Sequence, residues 1–419
     1  MRLSQTHILF DRLLLLLLVF SGGGLLFVYN RNPLSVFLLV LALFVVIFMG
    51  KKIKKSIFNS SFFALSFMSF LVIINYLIAP ASQKLLQYGF ILLNVTSCVV
   101  ILTHLRNNRT YNYFLKSIRL ILKLVLYHSL FNFFAYFLVK NSLTQLVSET
   151  HTVSTFYYLF YFEPVKHAFN FLGLELIRNQ GWFWEPGVLQ VYLNILLYLE
   201  GFIFKRKKLT LFLIVIAIFS TYSTTGILIM LILLFFMFKS TIRRNPIMAI
   251  LLISLILPVY FIAKTNVERK VEGEKSSSFQ KRYLDLIQPT AIAFKHPLTG
   301  VGLDREHFQK YRSKFLMDDD FGSFIEESTG YERQAESTEK GSSNSITYLM
   351  AAMGFPISIF LIYCLFKQKL FTHKKGIFMT VVIISILSEP LLLRPFFLIL
   401  ILSGMMSFFN KFIKQKTKL

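Results

Sequence analysis

The sequence predicts an all-α, polytopic membrane protein with about 12 transmembrane helices and two loop regions on the outer face. Of its 419 residues, 55% are hydrophobic, and the mean hydropathy of +0.60 is too high for a water-soluble domain. Apolar runs of about 17 to 25 residues, the length that spans a bilayer, recur along the chain. Basic clusters separate these runs, which is the charge pattern of cytoplasmic loops.

The net charge of +24 reflects the membrane topology of the chain rather than the binding of an anionic ligand. Its clusters fall between the apolar runs, at Lys51–Lys55, Arg106–Arg119, Lys205–Lys208, Arg243–Arg244, Lys367–Lys375 and Lys411–Lys418. Because this placement follows the positive-inside rule, nucleic acid is not an expected partner. The two cysteines lie inside apolar runs, where each is expected to pack as a small hydrophobic residue rather than form a disulfide.

The first 139 residues predict five spans, with the N-terminus inside. These spans are 8–29, 34–50, 57–79, 85–105 and 118–139. No small-residue cleavage site follows the first run, so we expect a span there rather than a signal peptide. The fifth span leads into a first external region, 140–186. Its apolar segments Ser154–Phe162 and Val165–Ile177 are too short to cross a bilayer, so interfacial or re-entrant helices are expected.

Residues 187–263 predict four further spans. The sixth span is 187–204 and the ninth is 246–263. Between them, about 30 apolar residues, Leu209–Phe238, have basic residues at both ends. Equal charge at both ends places both on the same side, so a hairpin of two short helices is expected. Its turn is predicted near Ser220–Gly226.

A second external region, 264–345, is long enough to form a small domain of its own. Local signals predict helices from Ser277 through Ile287 and, capped by Asp304, from Arg305 to about Leu316. Residues 346–419 then predict a tenth span, 346–366, and a last hairpin, 377–409. The outer turn of this hairpin carries Glu389 and Arg394.

The stretch Arg178–Gly187 holds an arginine, both tryptophans and a carboxylate just before the sixth span. Two explanations are open. Tryptophans and a long basic side chain are common anchors at a membrane interface. Alternatively, the five fixed donors of Arg178 suit a phosphate or pyrophosphate, and Glu185 beside them is able to take up a proton.

Charged residues of the outer segments are the best candidates for chemistry. No charged residue lies clearly in the middle of a predicted span. This argues against an ion-coupled transporter, which holds ionisable groups inside the membrane. The histidines show no tight ligand spacing, so no metal is expected. We predict instead that the outer segments fold over one cavity, in which charged side chains converge. These are Arg178, Glu185, Arg282, Glu389 and Arg394.

Four separated motifs resemble the O-antigen polymerase (Wzy) and O-antigen ligase superfamily. The first combines Arg178 and Gly181 with Glu185-Pro186-Gly187. The other three are Ser223-Thr224-Thr225-Gly226 before a span, Arg282 followed by His296-Pro297-Leu298-Thr299-Gly300-Val301-Gly302, and Ser343-Asn344-Ser345 with Gly354. The resemblance covers mainly residues 178–226, 282–302 and 343–354. Their order, spacing and predicted side of the membrane all agree with that family.

The resemblance implies a metal-independent glycosyltransferase of the bacterial inner membrane, with its active site facing the periplasm. Its substrate would be an oligosaccharide on undecaprenyl pyrophosphate, and membrane lipid and a chain-length regulator are further candidate partners. No cofactor is implied. Arg178 and Arg282 would be the paired arginines of the two periplasmic loops, and Glu185 the leading candidate for the general base. Residues assigned to substrate binding are Gly181, Trp182, Trp184, His296, Asn344, Glu389 and Arg394.

Several of these residues have a structural explanation as well. Arg282 has helical spacing to Asp285, which favours a surface ion pair, and Glu185 is placed to cap the following helix. His296 precedes a proline and a glycine turn, which favours a structural role. An aromatic belt explains both tryptophans.

Three functions remain open. Ligases of this superfamily usually carry a histidine immediately before the asparagine of the last motif, where this chain has Ser343. This difference favours a polymerase of lipid-linked repeat units over the ligase that transfers finished polymer to lipid A core. A lipid-linked oligosaccharide flippase is the alternative from another class, but it should have short external loops and charges along a central path.

Overall fold

The computed structural model describes residues 5–147, 152–164, 169–171, 174–204, 208–244, 276–318 and 342–416, together with 323 and 327. Within these ranges the chain is mostly helical. Its helices are α1 (Gln5–Phe20), α2 (Leu25–Tyr29), α3 (Arg31–Met49), α4 (Lys55–Ile78), α5 (Leu85–Asn108), α6 (Tyr111–Val139), α7 (Pro186–Tyr198), α8 (Lys208–Ser220), α9 (Thr224–Arg244), α10 (Ser276–Lys295), α11 (Arg305–Asp318), α12 (Ser345–Phe366), α13 (Lys375–Ser388) and α14 (Pro395–Lys416). Short 3₁₀ and π segments follow α6 and α7, at Lys140–Ser142 and Leu199–Ile203.

The helices are those of a polytopic membrane protein. Seven are long and apolar enough to cross a bilayer, and three shorter apolar helices, Lys208–Ser220, Lys375–Ser388 and Pro395–Lys411, accompany them. The predicted hairpins correspond to α8 with α9 and to α13 with α14. The predicted ninth span, 246–263, lies outside the described residues, so the total of about 12 stays a prediction.

The predicted first span is wrong in one respect, because it is broken in two. Helix α1 ends at Phe20, and three glycines separate it from α2. There the backbone leaves the helix to pair with the segment before α7. The amide of Leu25 donates to the carbonyl of Trp182 at 2.8 Å, and the amide of Trp184 donates to the carbonyl of Gly23 at 3.1 Å. Glycine permits both the break and the close backbone approach.

The first external region contains strands where interfacial helices were expected. Strands β1 (Thr144–Val147), β2 (Thr152–Phe156) and β3 (Phe160–Phe162) form an antiparallel sheet in that order. A separate hairpin pairs β4 (Phe169–Phe171) with β5 (Leu174–Leu176). These segments are rich in threonine, valine and aromatic residues, which favour strands. The fold class is therefore not purely α-helical.

Helix α7 forms the centre of the bundle. All thirteen of its residues are buried, and it packs against α6, α8, α9 and α13. Its Tyr192 hydroxyl donates to the carbonyl of Val19 at 3.0 Å, which ties it to α1. At its far end, Glu200 accepts two hydrogen bonds of 2.8 Å from Arg119 of α6. The start of α7, where Glu185 stands, is thereby fixed.

The predicted helices of the second external region are present as α10 and α11. Both amides of the first turn of α11, Glu306 and His307, donate to Oδ1 of Asp304, as the predicted cap requires. The sequence Ser277-Ser278-Phe279-Gln280 resembles a capping box at the start of α10, but the side chains of these residues lie outside the described part.

A backbone junction joins the loop between α10 and α11 to α12. Helix α12 is interrupted at Gly354, whose φ of 75° is left-handed. The amide of Phe355 donates to Pro297 at 2.7 Å, and the amide of Val301 donates to Ala351 at 2.8 Å. A methyl group on Gly300, at φ 64°, would lie 2.3 Å from the backbone of Ala352.

Gly300→Ala should therefore destabilise the folded protein. Strain at a left-handed φ alone costs roughly 1–3 kcal/mol, and the contact with the α12 backbone adds to it. We expect the thermal unfolding temperature in detergent to fall by several degrees. Gly89→Ala is the matched control, because nothing lies within 4 Å of a methyl group there and alanine favours a helix by about 1 kcal/mol. Equal unfolding temperatures for the two variants would contradict the junction.

Candidate functional site

One cavity of about 690 Å³ lies where the outer segments meet. Its walls come from the break after α1, the starts of α3, α7 and α11, helix α5, and the turn between α13 and α14. Eight charged residues line it: Arg31, Glu185, Arg282, Asp304, Arg305, Glu306, Glu389 and Arg394. Apolar side chains such as Ile91, Val95 and Leu398 line it as well. The space therefore joins a charged surface to an apolar one.

Two carboxyl groups meet at the start of α7. Glu185 is the residue before this helix but makes no side-chain cap. Its Oε1 instead accepts a hydrogen bond of 2.7 Å from Trp184 Nε1. Glu389, the residue that follows α13, is 4% exposed and interacts with Glu185. A methyl group on Gly187 would lie 2.0 Å from Glu389 Oε1, so glycine at this position makes room for the pair.

Glu389 holds its proton more strongly than an ordinary carboxyl group. Burial, and then the negative charge and hydrogen bond of Glu185, raise the pKa of Glu389 well above its usual value. The positive charges of Arg282 and Arg178 lower the pKa of Glu389 by smaller amounts.

The two arginines predicted to pair lie around this carboxyl group in different ways. Arg282 is exposed in the cavity. Arg178, which was expected to converge there, does not line the cavity. It donates from Nη1 to Glu163 Oε1 and from Nε to the carbonyl of Thr221, both at 3.3 Å. The positive charges of both arginines nevertheless lower the pKa of Glu389. Of the two arginines, only Arg282 lines the cavity.

The surface ion pair considered for Arg282 does not form. Asp285 is fully buried and accepts from Arg312 Nη1 at 2.9 Å. Its other oxygen accepts from the amide and the hydroxyl of Ser343 at 2.8 and 2.7 Å. Asp285 therefore anchors α10 to α11 and to the segment before α12. Among the described residues, no acid forms a salt bridge with Arg282.

Arg394 lies in the opposite wall. Its guanidinium carbon is 5.0 Å from the centre of the Trp184 ring, a cation–π distance. Its Nε is buried and has no hydrogen-bond acceptor among the described residues. Burial, and then the positive charges of Arg305 and Arg31, lower the pKa of Arg394 well below its usual value.

The sequence did not identify Arg31 and Arg305 as site residues. Arg31 stands in a turn predicted to face outside, where the positive-inside rule disfavours a cation. Arg305 follows the glycine-rich motif at the first position of α11. Arg31 could have been recognised from the sequence, because it is a cation in a turn that is predicted to face outside.

The two tryptophans have different roles. Trp184 is buried, lines the cavity and contacts both Glu185 and Arg394. Trp182 stacks on His128 at 3.8 Å between ring centres and does not line the cavity. Gly181 packs near Leu189 and Ser129, also outside it. The structure therefore brings only Trp184 of these three to the candidate site.

His296 and Asn344 do not reach the cavity either. His296 Nε2 is hydrogen-bonded to the Tyr311 hydroxyl on α11. Asn344 caps α12, because its Oδ1 accepts from the amides of Ile346 and Thr347 at 3.0 and 3.2 Å. Both act within the scaffold, and Ser342 and Ser343 line the cavity in their place.

Within the described residues, no group of three or more histidine, cysteine, aspartate or glutamate side chains is placed to hold a metal ion. The arrangement suits anion binding by guanidinium groups beside a carboxylate that can accept a proton.

Comparison with known proteins yields a family match over part of the chain. Neither a curated protein nor a solved structure matches the chain. Residues 209–362 match a family model described as O-antigen ligase. The matched range contains Arg282, Arg305 and Ser343, whereas Glu185, Glu389 and Arg394 lie outside it. The match supports the resemblance found in the sequence: residues 209–362 of this multi-pass membrane protein are similar to the O-antigen polymerase and ligase superfamily.

Proposed function

We propose that the protein is a polymerase of oligosaccharide repeat units carried on undecaprenyl pyrophosphate, working at the periplasmic face of the bacterial inner membrane. The observation that carries this proposal is the Glu185–Glu389 carboxyl pair, which faces Arg282 and Arg394 in one cavity. A proton acceptor beside guanidinium groups is what glycosyl transfer from a diphosphate donor requires.

In the proposed reaction, a sugar hydroxyl of one lipid-linked repeat attacks the anomeric carbon of the growing chain. A new glycosidic C–O bond forms, and the bond between the anomeric carbon and the donor diphosphate breaks. The hydroxyl proton goes to the Glu185 carboxylate, and the diphosphate leaves on its carrier lipid. Arg282, assisted by the charge of Arg178, stabilises the negative charge that grows on the leaving diphosphate.

Glu389 serves to position Glu185 rather than to react itself. As a neutral donor it orients the Glu185 carboxylate, while Trp184 Nε1 holds the other side of that group. Two donors that fix one carboxylate keep it aimed into the cavity. The carboxylate then meets the hydroxyl in a defined geometry.

The ligase is the nearest alternative, since the matching family model is described by that activity. Ser343 supports the polymerase, because it stands where ligases of the superfamily usually carry histidine. Its hydroxyl is held by Asp285, and none of the described residues that line the cavity is a histidine. The carboxyl pair takes the place of a histidine base.

A flippase fits the observations less well. Buried acids at the far ends of the helices are fully paired: Asp11 with His104 and Arg109, and Glu200 with Arg119 and Lys123. Such pairs stabilise helix packing and leave no free charges along a central path. Among the described residues, the arginines that line the cavity form no salt bridge with an acid.

Deletion of the gene should leave lipopolysaccharide core capped with a single repeat. The reason is that unpolymerised repeats can still be transferred to core. Gel electrophoresis of the lipopolysaccharide measures this directly. Bare core, with polymer accumulating on the carrier lipid, would identify the ligase instead.

Arg282→Gln should lower the polymerisation rate by about 10²–10³-fold, the cost of removing one donor to a developing charge. Chain-length ladders from a strain that carries only the variant provide the measurement. Lys314→Gln is the matched control, since it removes one exposed charge from α11 outside the cavity. Normal ladders from Arg282→Gln at wild-type protein levels would count against the assigned role.

Glu185→Gln and Glu389→Gln should behave differently. Glutamine cannot accept the proton in place of Glu185, so the rate should fall by about 10²–10⁴-fold. At Glu389, glutamine resembles the protonated carboxyl group that burial favours, and the activity should stay within a few-fold of wild type. Rates with purified lipid-linked repeats test this order. The reverse order would assign the base to Glu389.

A further inference from the structure

Three arginines from separate segments form one wall of the cavity. Arg31 begins α3, Arg305 begins α11 and Arg394 immediately precedes α14. We call these three residues the arginine trio. The residue before α3, Asn30, makes no side-chain cap, so the positive end of that helix also faces this region.

The acids nearest to the trio are engaged elsewhere. Asp304 caps α11 and accepts from the amide of Lys84 at 2.9 Å and from His307 Nδ1, also at 2.9 Å. Glu306 pairs with Lys84 and Lys310. Among the described residues, no acid forms a salt bridge with any member of the trio. The guanidinium of Arg305 packs instead over the Tyr348 ring at 5.7 Å.

The trio carries unbalanced positive charge. Burial lowers the pKa of Arg394 most strongly, and the positive charges of Arg305 and Arg31 lower it further. Its buried Nε has no acceptor among the described residues, and leaving a buried donor without a partner is unfavourable. An anionic ligand group would relieve both the repulsion and the unmade hydrogen bond.

The trio is distinct from the arginines assigned to the leaving diphosphate. The positive charges of Arg178 and Arg282 lower the pKa of Glu389. Those of Arg31 and Arg305 lower the pKa of Arg394. Trp184 stands between the two groups, with its ring against Arg394 and its Nε1 on Glu185. The reacting hydroxyl must lie at Glu185, so the trio faces the sugars next to the new bond.

The size of the cavity indicates which part of the substrate carries the anionic group that the trio would bind. About 690 Å³ is the size that encloses a drug-sized ligand, which corresponds to a diphosphate with one or two sugars. The acceptor's own diphosphate is separated from its attacking hydroxyl by the whole repeat unit, so it does not fit beside the donor diphosphate. The second anion must belong to a sugar.

We propose that the arginine trio binds an acidic substituent, a carboxylate or phosphate, on a sugar adjoining the bond that is formed, so that the substrate is an anionic repeat unit. This inference rests on the proposed polymerase function and adds the chemical class of the repeat.

Sugar analysis of the polymer gives the first test. The repeat of the wild-type strain should contain a uronic acid or another acidic sugar, or a phosphate substituent, at the polymerised linkage. A neutral repeat overturns the inference while the polymerase function stands. If the polymer persists after deletion of the gene, the polymerase function itself fails, whatever the polymer contains.

Binding to the purified full-length protein gives the second test. The probes are a labelled disaccharide that ends in glucuronate and the same disaccharide that ends in glucose, compared by equilibrium dialysis in detergent. Wild-type protein should bind the charged probe at least about tenfold more tightly, as charge-assisted hydrogen bonds allow. Arg305→Gln and Arg31→Gln should each remove most of this preference, and Lys314→Gln should keep it.

Three outcomes would overturn the inference. The first is equal affinity of the wild-type protein for both disaccharides. The second is equal loss of inorganic pyrophosphate binding in Arg282→Gln and Arg305→Gln, which would mean that all the arginines hold one diphosphate. The third is an Arg305→Gln variant that loses affinity for phosphatidylglycerol in nanodiscs but keeps the glucuronate preference, which would assign the trio to a lipid headgroup.

Discussion

The contact between the carboxyl groups of Glu185 and Glu389 depends on the burial of α7. This helix is enclosed on all sides, tied to α1 through Tyr192 and held at its far end by the ion pairs of Glu200. A helix packed in this way cannot rotate or slide without disturbing its neighbours. The residue just before it, Glu185, is therefore fixed in space, and the remaining site residues are arranged around that point.

Glycines within the motifs contribute mainly to packing. Gly187 leaves room for the Glu389 carboxyl group, and Gly300 lets one loop approach the α12 backbone. Gly354 interrupts α12 so that the amide of Phe355 can bond to the loop. Chemistry and close packing thus occur in the same short motifs, because a rigid backbone junction is what holds charged side chains in register.

Much of the fold and part of the site were predictable from the sequence. Span lengths and basic clusters gave the long helices and both hairpins, since hydrophobic length and charge asymmetry are local properties. Of the five residues expected to converge, Glu185, Arg282, Glu389 and Arg394 line one cavity, whereas Arg178 does not. The predicted topology puts the segments that carry these side chains on one side of the membrane.

Other features depend on contacts between distant segments, which the sequence of one segment does not report. The break after Phe20 exists because the backbone there pairs with Trp182 and Trp184, about 160 residues later. The strands of the first external region replace expected helices because apolar length alone does not distinguish the two. Trp182 and Asn344 fitted a substrate site by position, but neighbouring side chains and amides turn them into scaffold residues.

The distribution of charge explains why the outer cavity, rather than the far end of the bundle, is suited to an anionic substrate. Away from the cavity, Asp11 and Glu200 are each matched by cations, so those charges cancel where they are buried. Within the cavity, burial raises the pKa of Glu389 well above its usual value, and Asp304 and Glu306 are engaged by other partners. Four arginines line the cavity, and none of them forms a salt bridge with an acid in the part of the chain that the structure describes, which leaves an excess of positive charge there. In a partly apolar space this excess is screened weakly, so the cavity favours a ligand with more than one negative charge.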